Sequence, residues 1–68
     1  MSLEELEARV KKLSMRSTDA KMALHDLSEE LPTDWQKIPE VAERTYQIFR
    51  DLSEARAALK AAKKAEGV

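Results

Sequence analysis

His25 is the single histidine of the chain and stands four residues before Glu29. On a helix that spacing sets imidazole and carboxylate one turn apart on the same face. Such a pair can share a divalent cation, so His25 and Glu29 form half of a candidate metal site. Two ligands do not close a site. The plainer reading is an ion pair between His25 and either Glu29 or Asp26, and no other cofactor is expected. A second copy of the chain would complete a site only with a two-fold axis close by.

The residues around this pair are acidic and aromatic. Between residues 25 and 43 stand Asp26, Glu29, Glu30, Asp34, Glu40 and Glu43 against Lys37 alone, a local charge of −5. The rest of the chain carries +4, giving −1 overall. Trp35, Tyr46 and Phe49, the complete set of aromatics, lie within fifteen residues. Glu29 and Glu30 fall where a helix must end, and there the dipole disfavours a carboxylate by about 0.3–1 kcal/mol each. Acids held against the dipole suggest a compensating cation or a basic partner surface. Asp26, Glu29, Glu30, Asp34 and Trp35 are therefore the expected partner-binding residues, with Trp35 as anchor if its indole is open, since Trp is enriched at binding hot spots. Alternatively the segment is a tight, capped turn, with Trp35 beside Pro32 and Thr33 closing the core.

Elsewhere the chemistry is sparse. Arg9, Lys12 and Arg16 form a basic stripe at helical spacing. A solvated face accounts for it, and a net charge of −1 exerts no pull on nucleic acid. An RNA-binding bundle is the third functional alternative, and no nucleic-acid partner is expected. Met15 and Met22, one heptad apart at outward f positions, either edge the core or offer a soft apolar strip. Glycine-rich phosphate loop, nucleophile elbow and zincin helix are all missing, so the sequence reads as no enzyme.

Regular elements must position these groups. Of the 68 residues, 39 are Ala, Glu, Lys, Leu or Arg, a composition of long helices. There is one Gly and no Cys, which excludes a disulfide scaffold and a thiolate metal site. No apolar run approaches the ~18 residues of a membrane span, and the acidic N-terminus does not resemble a secretory signal. One cytoplasmic domain over residues 1–68, without membrane contact, is the expectation.

Leu3, Leu6, Val10, Leu13, Ser17, Ala20, Leu24, Leu27 and Leu31 follow one another at alternating intervals of 3 and 4, the a/d seam of left-handed helix packing. Ser2 and Glu5 have capping-box spacing, and Glu4, Glu5 and Glu7 suit the positive end of the dipole. Pro32 biases Leu31 away from α geometry, so the first helix covers about 3–31. Thr33 and Gln36 make a second capping-box spacing, over a short turn at 33–38. Pro39 favours a first helical turn, which predicts a second helix at 39–65. Its seam is Ile38, Val41, Thr45, Ile48, Leu52, Ala55, Leu59 and Ala62, widened by Ala42 and Phe49. Lys60, Lys63, Lys64 and then Gly67 suit its C-terminal end.

So short a connection makes the helices an antiparallel hairpin, bringing Glu4, Glu5 and Glu7 near Lys60, Lys63 and Lys64. Two helices cannot enclose a core. Small residues at Ser14, Ser17, Ala20 and Ala23, and at Ala55, Ala58 and Ala62, suggest close helix approach. An all-α hairpin pairing into a homodimeric four-helix bundle is the expected architecture. Its seam would be Leu6, Val10, Leu13, Ala20, Leu24, Leu27, Leu31, Val41, Ile48, Leu52 and Leu59.

The run from Lys21 to Trp35, Lys-Met-Ala-Leu-His-Asp-Leu-Ser-Glu-Glu-Leu-Pro-Thr-Asp-Trp, continuing in Ala42-Glu43-Arg44-Thr45-Tyr46, resembles the small Rop-like proteins encoded in nitrogen-fixation gene clusters. The resemblance covers most of the chain. It implies helical hairpins paired into four-helix bundles and a role accessory to nitrogenase, with a nitrogenase-related protein as partner. It brings no catalytic residue. His25, Asp26, Leu31, Pro32 and Thr33 match the motif, but the basic face of an RNA-loop binder is not present.

Overall fold

A computed structural model describes residues 2–66. Two α-helices, α1 (Leu3–Glu30) and α2 (Ile38–Ala65), are joined through a 3₁₀ turn at Trp35–Lys37. Each helix has 28 residues, about 42 Å at 1.5 Å per residue. The molecule measures 51 × 15 × 14 Å, so the helices lie side by side as a hairpin. Among the described residues there is no strand.

The ends of α1 follow from local chemistry. The Ser2 hydroxyl accepts the Glu5 N–H at 3.1 Å, satisfying one of the first-turn donors that have no helical partner. At the other end α1 stops at Glu30, one residue short of the expected Leu31. Leu31 takes an extended ψ of 141°, the geometry Pro32 imposes on its predecessor. The freed Glu30 carbonyl accepts the Thr33 N–H at 2.9 Å.

The connection departs from expectation in two respects. The Thr33–Gln36 capping box does not form: the residue before the 3₁₀ turn is Asp34, in the left-handed region at φ 60°, and its side chain makes no capping bond. Asp tolerates this region better than most residues because its short polar side chain can bond locally. Helix α2 also begins at Ile38, not Pro39. The Ile38 N–H bonds the Trp35 carbonyl, so the turn runs directly into the helix and Pro39 falls in its first turn, where a missing donor costs nothing. Lys63 and Lys64 occupy the last turn of α2 as expected. Gly67 lies outside the described residues.

The seam is buried unevenly. Leu6, Leu13, Ala20 and Leu27, at the d positions of α1, are all 7–8% exposed. Leu13 packs with Leu52 and Ala55, and Val10 lies against them. Val41, Ile48 and Leu59 are half-buried. Three seam residues stay open to solvent: Leu24, Leu31 and Ile38. A single partner helix cannot cover both edges of an a/d stripe. Ser17, the polar member of the seam, is buried and donates its hydroxyl to the Ser14 carbonyl at 2.7 Å, which removes the desolvation cost of a bare hydroxyl.

A candidate docking surface at the turn

The turn gathers the acidic residues and the Trp singled out by the sequence and exposes them, whereas Tyr46 and Phe49 stand about two and three turns into α2. Asp26, Glu29 and Glu30 lie in the last turns of α1, Asp34 in the connection and Trp35 on the 3₁₀ turn; each is exposed. Trp35 leaves 59% of its surface in solvent, so it does not close the core. The left-handed Asp34 lets the chain reverse directly after Pro32, and the Asp34 carbonyl takes the Lys37 N–H at 2.9 Å, which sets the indole on the outside.

His25 Nε2 stands 3.0 Å from Glu29 Oε1, and both side chains are about two-thirds exposed. The structure thus brings the two candidate metal ligands together as a close i,i+4 pair in solvent. Among the described residues no group of three or more His, Cys, Asp or Glu side chains could hold a metal ion. Asp34 faces Lys37 Nζ at 3.9 Å, a loose contact. Asp26 and Glu30 have no cation within ion-pairing distance among the described residues. Much of the turn's negative charge is therefore uncompensated inside the hairpin.

The expected contact of Glu4, Glu5 and Glu7 with Lys60, Lys63 and Lys64 does not form ion pairs. Those found among the described residues are all local: His25–Glu29, Lys37–Asp34 and Arg50–Asp51. Long side chains in water gain too little from such pairing to offset their lost rotamer freedom. Met15 and Met22 are 65% and 58% exposed, outside the core. Arg9, Lys12 and Arg16 are exposed as a solvated stripe would be.

Two surfaces were not read from the sequence. Tyr46 and Phe49, with Thr45, Arg50, Ser53 and Glu54, line an open groove along α2. On the opposite side a second groove runs between the helices, floored by Ala20, Val41 and Ile48 and rimmed by Arg16, Arg44 and Asp51. The first was signalled by Tyr46 and Phe49 three residues apart beside the seam. The second was signalled by the small residues of α1.

An antiparallel pair of α-helices with exposed carboxylates and an exposed Trp35 at the connecting turn defines a helical-hairpin protein. This chain belongs to the Rop-like family, whose model matches residues 1–64. A UPF0437 protein of Azorhizobium caulinodans is 59% identical over 58 residues, covering 85% of this chain and 84% of that protein. A UPF0437 protein of Nostoc sp. is 44% identical over 59 residues, 87% of this chain and 83% of its own length. A relative in Frankia alni, described as a UPF0437 protein in the nifX-nifW intergenic region, is 38% identical over 47 residues, 69% of this chain and 57% of its own length. No solved structure matches the chain.

Proposed function

We propose that this protein is a non-catalytic accessory factor of nitrogen fixation that works in the cytoplasm as a homodimeric four-helix bundle and docks a nitrogenase-related protein through its acidic, aromatic turn. The observation that carries the docking reading is Trp35, 59% exposed on the 3₁₀ turn, near Asp26 and Glu30, which lack a cation within ion-pairing distance among the described residues. An open indole beside charge is what a hot spot offers a partner. The nitrogen-fixation context is supported by the Frankia alni relative, which lies between nifX and nifW. Among the described residues no helix is long and apolar enough to cross a membrane.

Affinity capture from nitrogen-fixing cells, with co-purifying proteins identified by mass, tests the docking role. The wild-type chain should retain a nitrogenase-related protein that Trp35→Ala loses. Equal recovery with both chains would overturn the assignment of the turn.

A second reading has one observation in its favour, the 3.0 Å approach of His25 to Glu29: the pair is preformed, and a dimer bringing two such pairs together would offer four ligands. Under that reading untagged protein would carry a stoichiometric divalent metal that His25→Ala abolishes. Metal-free protein that still captures the partner would eliminate it.

A further inference from the structure

Most large apolar side chains left in solvent have a place in the architecture already described. Leu24, Leu31 and Ile38 belong to the seam, and Trp35 to the turn. Tyr46 and Phe49 stand together in the groove along α2. Met15 and Met22 have no such place. They are 65% and 58% exposed in the f row of α1, opposite the a/d seam. Packing at the seam, against one helix or several, leaves the f row outside.

The two methionines are the apolar part of a longer stripe. At 3.6 residues per turn, Met15 and Met22 are about 20° apart around α1 and about 10 Å apart along it. Asp19, Asp26, Glu29 and Glu30 all fall within about 60° of Met15, and all are exposed. Arg16 and Lys21 fall outside that arc, about 100° and 120° from Met15. Among the described residues Glu29 meets His25, while Asp19, Asp26 and Glu30 have no cation within ion-pairing distance. On the other side of Met15, Lys11 and Lys12 enter the arc and the sign reverses. The acidic stretch with its two methionines therefore runs from Met15 to Glu30, about 22 Å at 1.5 Å per residue.

We propose that this stripe of α1 seats a basic amphipathic helix presented by a partner protein. The proposal rests on the docking reading above, whose Asp26, Glu29 and Glu30 it shares, and names the chemistry of the partner. The occupant is a helix because α1 offers no free backbone along this stretch. Its N–H and C=O groups bond within the helix, so an extended peptide would find none to pair with. A helix arrives with its own backbone satisfied. Two apolar residues seven apart on it repeat the spacing of Met15 and Met22. Methionine suits such a contact, because its unbranched, polarizable side chain adapts to the shape laid on it. Lys and Arg flanking those two apolar residues would meet Asp19, Asp26, Glu29 and Glu30. The same four carboxylates repel an acidic helix, and Lys11 and Lys12 bound the footprint of a basic one at its far end.

Peptide titration against the full chain tests this. The probe is a fluorescein-labelled synthetic helix of about 15 residues, matched to the stripe's length, with Leu at two positions seven apart and Lys beside them. It should bind with a micromolar Kd that weakens as salt is added. Met15→Ser combined with Met22→Ser should weaken binding about tenfold or more. Circular dichroism of that variant should show an unchanged fold, since both side chains lie outside the core. Unchanged affinity in the methionine variant overturns the proposal, as does equal binding of a scrambled peptide of the same composition. Sedimentation of the variant should match the wild type; a change in oligomeric state gives the stripe to a second copy and overturns the proposal too. Trp35 lies beyond Glu30, so Trp35→Ala separates the stripe from the turn. Both variants should lose the partner captured from cells. Capture that survives Trp35→Ala but not the methionine change overturns the turn assignment and supports the stripe. Capture lost with Trp35→Ala and kept by the methionine variant overturns the stripe and leaves the turn.

Discussion

The His25 imidazole and the Glu29 carboxylate meet at 3.0 Å in solvent, one turn before α1 gives way to Pro32. An exposed i,i+4 pair contributes about 0.3–0.5 kcal/mol. His25→Ala should therefore lower the melting temperature by only about 1–4 °C, followed by circular dichroism. A much larger drop would mean that His25 supports the fold by some route other than this pair.

Leu52 and Leu24 both belong to the seam, yet they are 3% and 36% exposed. Leu52→Asp places a carboxylate inside the Leu13–Leu52–Ala55 cluster and should unfold the hairpin at ordinary temperature, at a cost of several kcal/mol. Leu24→Asp should chiefly weaken self-association, leaving helices that re-form at high protein concentration. Circular dichroism over a concentration series separates the two. Equal loss of helicity in both variants, independent of concentration, would refute the distinction.

That contrast also shows what the sequence could and could not convey. The 3-4 spacing from Leu3 to Leu31 and from Ile38 to Ala62 depends on the helical repeat alone, and both helices formed within a residue of their expected ends. Ser2 capped α1 as its spacing implied. The hairpin's own burial was not legible: heptad spacing marks a stripe, but which edge a single partner helix covers depends on crossing geometry. Leu6 and Leu27 are buried, whereas Leu24 and Leu31 are not. The turn was misread in detail. The 33-to-36 spacing fits a capping box, but Asp34 takes the left-handed region, and an Asp directly after Pro-Thr was the available signal. At the turn, charge and composition named the acidic residues that stand there together, whereas the exposure of Trp35 depends on how the chain reverses and was not legible.

Asp34 holds φ 60° and ψ 26°, a conformation that penalises a Cβ. Asp34→Gly removes that penalty and should leave stability unchanged or raise it by up to about 1 kcal/mol, the entropy of the unfolded chain offsetting part of the gain. Asp34→Val should lose about 1–2 kcal/mol, because a β-branched residue fits this region worst. Chemical denaturation of the two variants measures both. Val equal to Gly would show that the turn adopts another backbone in solution.

Arg9, Lys12 and Arg16 are exposed on one stripe but carry no stacked aromatics, and the chain's net charge is −1. No physiological nucleic-acid binding is expected. Fluorescence anisotropy with RNA hairpins near physiological salt should show no sub-micromolar complex, and any weak association should vanish steeply with added salt. Tight binding lost on Arg9→Ala or Arg16→Ala would reverse this.

Glu29 and Glu30 stand where the helix dipole opposes them, and last-turn basic residues are missing from α1. Replacing both with Gln removes two unfavourable charge–dipole contacts of about 0.3–1 kcal/mol each and sacrifices the single exposed ion pair to His25. The melting temperature should hold or rise. If the carboxylates serve only the turn, capture of the partner from cells should be unaffected as well. If they meet a basic surface, stability and capture should move apart: a protein at least as stable as the wild type that no longer retains its partner. Such an outcome cannot come from misfolding, because the fold is measured in the same sample. It would show that carboxylates unfavourable to α1 are kept for what they contact outside it. Full capture by the double variant and by His25→Ala would reject the docking role and leave the turn as architecture.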